Sequence, residues 1–240
     1  MLIGLLEAET LPERVVARFG SYGNMFEQRL RRRDASLEFR YYAADQGQLP
    51  TNLDECDAYI ITGSRFNAYD RDPWIENLKA FVRDLDRTRK RCLGICFGHQ
   101  LIAAALGGKV ELSDKGWGIG VAKFNVYAQA PWMTEQLNAF TTLVSHQDQV
   151  TALPPRSTLF AANDFCPNGG FILGNHIFTL QGHPEFTPEY LGQLIRRRST
   201  VIGNEKSSNT LKLLDKYNDQ GVALELVHRF LQASTKTDAC

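Results

Sequence analysis

One short stretch restricts this chain more than any other: residues 91–108, RCLGICFGHQLIAAALGG. An apolar run enters Gly94-Ile95-Cys96-Phe97-Gly98, and a Leu/Ala-rich segment leaves it at once. A cysteine that only packs has no need of a glycine two residues away on each side. Glycines at those places let backbones pass closely where a buried strand turns directly into a helix. The spacing is that of a nucleophile elbow, a strained strand-to-helix turn usually written around serine. In such a turn the side chain stands above the sheet, and the helix N-terminus favours a thiolate. The backbone N–H of Phe97 then points to where an oxyanion would form, a donor worth about 2.7–4 kcal/mol in comparable sites. A buried structural cysteine at a tight turn satisfies the same five residues, so the elbow alone leaves both readings standing.

The surrounding pattern supplies a sheet for the turn to sit on. Residues 1–6 and 58–61 read as fully buried strands, 37–42 as an alternating strand, and 92–95 as the strand that enters the turn. Residues 24–32 carry Met25, Phe26 and Leu30 on one helical face, with Asn24 as the cap. The clearest helix begins at Asp72-Pro73, an N-cap residue followed by a proline suited to the first turn. Trp74, Ile75, Leu78, Phe81, Val82 and Leu85 then recur at helical spacing. The helix after Gly98 ends at Gly107-Gly108. Strands alternating with helices predict right-handed βαβ units, hence an α/β fold: a single open, mostly parallel (mixed) sheet with helices on both faces.

The second half is richer in strand, at 118–126, 142–144, 158–162, 171–173 and 177–181, and helices near 188–197 and 222–231 close the chain. With no repeat, low-complexity tract or linker, one domain is expected over residues 1–240. Its core covers about 1–198 and a helical extension about 199–240.

Charge narrows the partners. Lysine plus arginine equals aspartate plus glutamate at 27 each, which argues against nucleic acid or an anionic membrane as the main partner. Arg31-Arg32-Arg33 and Arg196-Arg197-Arg198 lie in polar, helix-like surroundings and read as solvated faces. The cysteines at 56, 92, 96, 166 and 240 show no C-x-x-C spacing, which suits free thiols in a reducing, cytoplasmic compartment. The apolar start is too short for a signal sequence, and no run approaches a membrane-spanning length.

In parallel α/β sheets, sites gather at the carboxyl ends of the strands. Three pieces fall there: Thr62-Gly63-Ser64-Arg65, the Cys96 turn, and Gln181-Gly182-His183-Pro184-Glu185. A thiolate nucleophile needs a base, and the base needs an orienting group. His183-Pro184-Glu185 offers both in three residues, stiffened by the proline, although such a triplet alone reads as an ordinary turn. His176 in the hairpin-like sequence Gly174-Asn175-His176 and His228 on the last helix are expected on the surface. His99 is expected to support the turn, and His146 in Ser145-His146-Gln147-Asp148 to lie beside a substrate. No histidine–carboxylate cluster has ligand spacing, so neither a metal nor another cofactor is expected.

Together, GICFGHQ (94–100), ITGS (61–64), SHQD (145–148) and QGHPE (181–185) stand in the order found in class I, triad-type glutamine amidotransferases, which this chain resembles. GSYGNMF (20–26), GSRFNAYDRDPWI (63–75) and KGWGIG (115–120) resemble the stand-alone branch, which includes plant γ-glutamyl peptidases and proteins similar to the glutaminase part of GMP synthase. The resemblance covers nearly everything before about residue 198 and implies a flavodoxin-like sheet. It implies that Cys96 attacks the γ-carbonyl of a glutamyl side chain and forms a γ-glutamyl thioester. His183 would take the thiol proton, pass it to the leaving amine and then activate water, while Glu185 holds the imidazole. Backbone N–H groups near Gly63 or Ser64, with that of Phe97, would form the oxyanion hole. Gln100 and Ser145-His146 match positions that hold the α-amino and α-carboxylate groups.

One departure is visible. Many relatives carry Gly-Gly-Pro where this chain has Gly63-Ser64-Arg65. Serine still supplies a backbone N–H, whereas Arg65 adds a charge at the rim, expected to contact an acidic part of a larger substrate; a solvated loop arginine fits the sequence equally well.

The function so implied is cysteine-dependent hydrolysis or transfer at γ-glutamyl amide bonds. The alternative is a glutaminase subunit supplying ammonia to a separate synthetase partner, and a third reading is an inactive binding or regulatory homologue. The sequence leaves the leaving group open, and monomer and homodimer alike.

Overall fold

The computed structural model describes residues 1–214 and 221–233. Strand β1 (Leu2–Glu7) is followed by helices α1 (Glu13–Phe19) and α2 (Tyr22–Arg31), strands β2 (Glu38–Ala43) and β3 (Ala58–Ile61), and helix α3 (Pro73–Arg87). Strand β4 (Arg91–Ile95) turns into helix α4 (Phe97–Ala105). Then come β5 (Lys109–Leu112), β6 (Gly118–Val126), β7 (Ala139–His146), β8 (Asp148–Ala152), β9 (Thr158–Ala162), β10 (Gly170–Leu173) and β11 (Ile177–Leu180). Helices α5 (Pro188–Ile202), α6 (Asn204–Leu214) and α7 (Val222–Gln232) follow. Cys240 and the end of the expected extension lie outside the described residues.

Among the described residues, nine strands form one open mixed sheet in the order β2-β1-β3-β4-β11-β10-β9-β6-β7, and β5 and β8 form a separate antiparallel ribbon. Strands β2, β1, β3, β4 and β11 pair in parallel, and the remaining neighbours run antiparallel. Strands β3, β4 and β11 are buried along their whole length, as strands covered on both faces must be. Their unbroken apolar runs come from that double burial. Edge strand β2 is instead largely exposed.

Alternate residues feed two cores. Ala58, Ile60, Leu93 and Ile95 join Phe160, Phe178 and Phe230 on one face, whereas Tyr59, Ile61 and Cys92 join Leu78, Val82, Phe97 and Leu101 on the other. In register, Ile61 is opposite Gly94 and Leu180 opposite Ile95, so β3, β4 and β11 end at nearly one level. The turns that follow these three strands are thereby brought side by side.

Several local expectations are corrected. Helix α2 is capped by Ser21: its side chain accepts from the Asn24 N–H while the Asn24 side chain accepts from the Ser21 N–H, so Asn24 is the third helical residue of a capping box. Asp72 precedes α3 without a side-chain cap bond. Helix α5 runs on to Ile202, past residue 197 where the helix was expected to end. His176 is buried, not on the surface. Its Nε2 lies 2.9 Å from Asp86 Oδ1 and its carbonyl accepts from the Cys92 N–H, so the hairpin turn tucks it against the end of α3. Cys56, Cys92, Cys96 and Cys166 are buried free thiols, and no described helix is long and apolar enough to cross a membrane.

Candidate active site

Cys96 occupies φ 53°, ψ −103°, a left-handed conformation for a residue with a side chain. Such a backbone costs about 1–3 kcal/mol and persists only where its surroundings impose it. The surroundings here are two close backbone crossings. A Cβ on Gly94 would lie 2.6 Å from the Gly98 carbonyl oxygen, and one on Gly98 would lie 2.4 Å from that of Ile61. Glycine at both positions therefore lets α4 start directly over β3 and β4. The Cys96 N–H donates to the Leu180 carbonyl at 2.8 Å, which ties the turn to β11. Because α4 begins at Phe97, the thiol sits at the positive end of that helix.

His183 follows β11. Its N–H donates to Leu143 O at 2.7 Å, so β7 fixes its height, and Gly182 permits this approach because a Cβ there would fall 2.2 Å from Thr142. The imidazole Nδ1 lies 2.7 Å from Glu185 Oε1, and the same ring interacts electrostatically with the Cys96 side chain. All three residues are buried. Burial opposes a charge on His183, but the Glu185 carboxylate and the Cys96 sulfur outweigh it and push its pKa up to about 10. A thiol so partnered can pass its proton to the ring.

The loop after β3 closes the third side. A Cβ on Gly63 would lie 2.8 Å from His183 Cε1 and 3.7 Å from Cys96 Cβ, so the bare backbone there passes against both groups. Ser64 Oγ donates to Ala8 O at 2.7 Å and anchors the loop. The backbone N–H groups of Gly63, Ser64 and Phe97 have no acceptor among the described residues. They are free to receive an oxyanion.

A cavity of about 230 Å³ opens onto Cys96, with Ser64, Arg65, Gln100, Ser145 and His146 in its wall. Gln100 Nε2 is engaged inside the protein, donating to Asp148 O at 2.8 Å and Gln181 Oε1 at 3.1 Å. His146 Nδ1 donates to the Asp148 carbonyl at 3.1 Å. Burial holds this ring neutral by lowering its pKa to about 4, and buried His99, bonded to Thr179 Oγ1 at 2.8 Å, is lowered to about 3. His99 thus braces the helix against β11. Arg65 lines the rim, 3.6 Å from the buried Glu9 carboxylate and over the Phe66 ring.

Every residue singled out from the sequence gathers here. Arg198 joins them unforeseen: Arg196 and Arg197 are exposed as expected, but Arg198 is half-buried in the wall of the Cys96 cavity. Its position in an arginine run concealed it, because the one-residue rotation that turns it inward is set by how α5 packs. The helical phase of Leu191, Leu194 and Ile195 was the available signal.

The glutamine amidotransferase class-I family model matches residues 15–201. γ-Glutamyl peptidase 3 of Arabidopsis thaliana is 33% identical over 187 residues, covering 75% of this chain and 74% of that relative. γ-Glutamyl peptidase 5 of the same plant is 31% identical over 186 residues, covering 75% and 73%. Among solved structures, a glutamine amidotransferase from Thermotoga maritima superposes with a TM-score of 0.74 at 20% identity, covering 96% of this chain and 95% of that one. That last likeness is one of fold.

Proposed function

This chain belongs to the glutamine amidotransferase class-I family, and from that premise we propose that it cleaves γ-glutamyl amide bonds through a thioester on Cys96. The observation that carries the reading is the His183 imidazole, held 2.7 Å from Glu185 and facing the charge of Cys96 at the turn into α4. The relatives named γ-glutamyl peptidases support a hydrolase of this type.

In the proposed reaction, the Cys96 thiol gives its proton to His183 and Sγ attacks the γ-carbonyl carbon. The carbonyl oxygen takes the negative charge and is met by the N–H groups of Phe97 and of Gly63 or Ser64. Collapse of this intermediate breaks the C–N bond while His183 protonates the departing nitrogen. A γ-glutamyl thioester remains. Water then loses a proton to His183 and attacks the thioester, releasing glutamate and restoring the thiol; an amine in place of water gives transfer. Glu185 keeps the imidazole oriented and offsets its positive charge. Gln100, Ser145 and His146 bound the space for the glutamyl α-groups, and Arg65 stands at the rim for an acidic part of a larger substrate.

The test is glutamate release from glutamine, glutathione and a panel of γ-glutamyl amines, with Cys96→Ala as control. Cys96-dependent turnover of one γ-glutamyl compound well above glutamine is expected. Full turnover by Cys96→Ala would overturn the proposal. Weak activity that rises on addition of a synthetase would favour a glutaminase subunit instead.

A further inference from the structure

The charges around the Cys96 cavity are unevenly paired. Arg65 has the buried Glu9 carboxylate 3.6 Å away, and the Asp148 carboxylate in the cavity wall accepts from the Tyr69 hydroxyl at 3.3 Å. Although its charge acts on Glu9 more strongly than that of Arg65, Arg198 has no carboxylate within ion-pair distance among the described residues. It reaches the cavity from α5, lies over the ring of Trp117 at 5.7 Å, and extends one guanidinium nitrogen to Ser145 Oγ at 3.5 Å. Among the described residues it forms no ion pair. Arg65, not Arg198, is the arginine in contact with Glu9.

A half-buried guanidinium set over an aromatic ring, with no carboxylate in contact, is arranged to favour an incoming carboxylate. Its planar fork matches both oxygens of that group. We infer that Arg198 is a substrate-binding residue that takes a carboxylate of the substrate beside Cys96. The inference rests on the γ-glutamyl reading, which supplies two sources: the α-carboxylate of the glutamyl half, or a carboxylate on the leaving group.

The experiment compares the unaltered protein with Arg198→Gln and Arg198→Lys on matched substrates. γ-Glutamyl-p-nitroanilide and 4-aminobutyryl-p-nitroanilide differ only in the α-carboxylate. γ-Glutamylglycine and γ-glutamylglycinamide differ only in the leaving-group carboxylate. Alkylation of Cys96 by neutral iodoacetamide reports the state of the thiol independently. Arg198→Gln is expected to raise KM about 10–100-fold for the carboxylate-bearing member of one pair, with kcat and alkylation little changed. It should erase the discrimination within that pair, and Arg198→Lys should restore part of it. Which pair responds names the source.

Unchanged discrimination in both pairs would overturn the inference. So would equal losses in both members of each pair, or slowed alkylation, which would make Arg198 a support for the fold. If the unaltered protein turns over none of the four, the γ-glutamyl reading fails separately. Protection of Cys96 from iodoacetamide by glutamate, but not by 4-aminobutyrate or glycine, then tests Arg198: loss of that protection in Arg198→Gln sustains the inference, and its absence or persistence overturns it.

Discussion

The imidazole of His183 lies flat on the ring of Phe186, with centroids 3.8 Å apart and planes inclined by 7°. Phe186 is in turn gripped by Tyr22, stacked at 5.7 Å, and by Tyr190, edge-on at 4.6 Å, while Arg29 donates to its carbonyl at 3.0 Å. An aromatic face attracts a cation, so this contact favours the imidazolium over the neutral ring. It adds to the effect of Glu185 on the same group.

Phe186→Leu keeps an apolar side chain but removes that face. Aromatic pairs contribute about 0.5–1.5 kcal/mol, equivalent to about half to one pH unit. The pKa of His183, read by NMR titration of its imidazole, should therefore fall by about that amount. An unshifted His183 titration would show that Phe186 only packs.

Gly63→Ala tests the closeness of the loop to the base. The added Cβ would meet His183 Cε1 at 2.8 Å, and Gly63 is not in a left-handed conformation, so the backbone itself tolerates alanine. The imidazole must move. Displacing such a group by about 1 Å can cost about 100-fold, so kcat/KM should fall by that order while Tm changes by only a few degrees. Activity within twofold of the original would refute the prediction.

Gly98→Ala should act on the fold itself. Its Cβ would lie 2.4 Å from the Ile61 carbonyl oxygen, a rigid backbone atom inside the sheet. A destabilisation at the upper end of the overpacking range, about 3 kcal/mol, is expected from urea unfolding. Retention of the original midpoint would mean that α4 can lift off β3 without cost.

Two buried neutral histidines predict acid sensitivity. The pKa of His99 is lowered to about 3 and that of His146 to about 4, each chiefly by burial. Because the folded values lie below the unfolded value of about 6.5, the stability they confer is complete above that pH and declines as pH falls toward the folded values. Each contributes a slope of up to about 1.4 kcal/mol per pH unit. His183, raised instead, is protonated in both states below pH of about 6.5 and adds no slope there. Urea midpoints at about pH 6.5 and about pH 5.5, above the ordinary carboxylate range and below the window in which His183 acts, should therefore differ, and His99→Gln should reduce the difference. Equal midpoints would contradict the assignment.

What the sequence alone determined was local. Gly94-x-Cys96-x-Gly98 announces a backbone crossing because only glycine removes the Cβ that would strike Gly98 O or Ile61 O. The apolar runs at β3, β4 and β11 announce strands buried on both faces, and His183-Pro184-Glu185 couples two chemical groups across one residue. Short or polar elements such as β5, β8 and α1 escaped because their positions depend on partners distant in the chain, not on their own periodicity.

Tertiary structure alone decided how those local pieces meet. Parallel register brings the ends of β3, β4 and β11 to one level, which puts Gly63, Cys96 and His183 in contact although they are far apart in sequence. The packing of α5 turns Arg198 inward while Arg196 and Arg197 face water, and that of α2 against α5 brings Tyr22 onto Phe186 and thereby braces His183. Residue type and spacing specify which groups are available; the rotation of a helix and the register of a strand are collective results of packing, and they determine which of those groups touch.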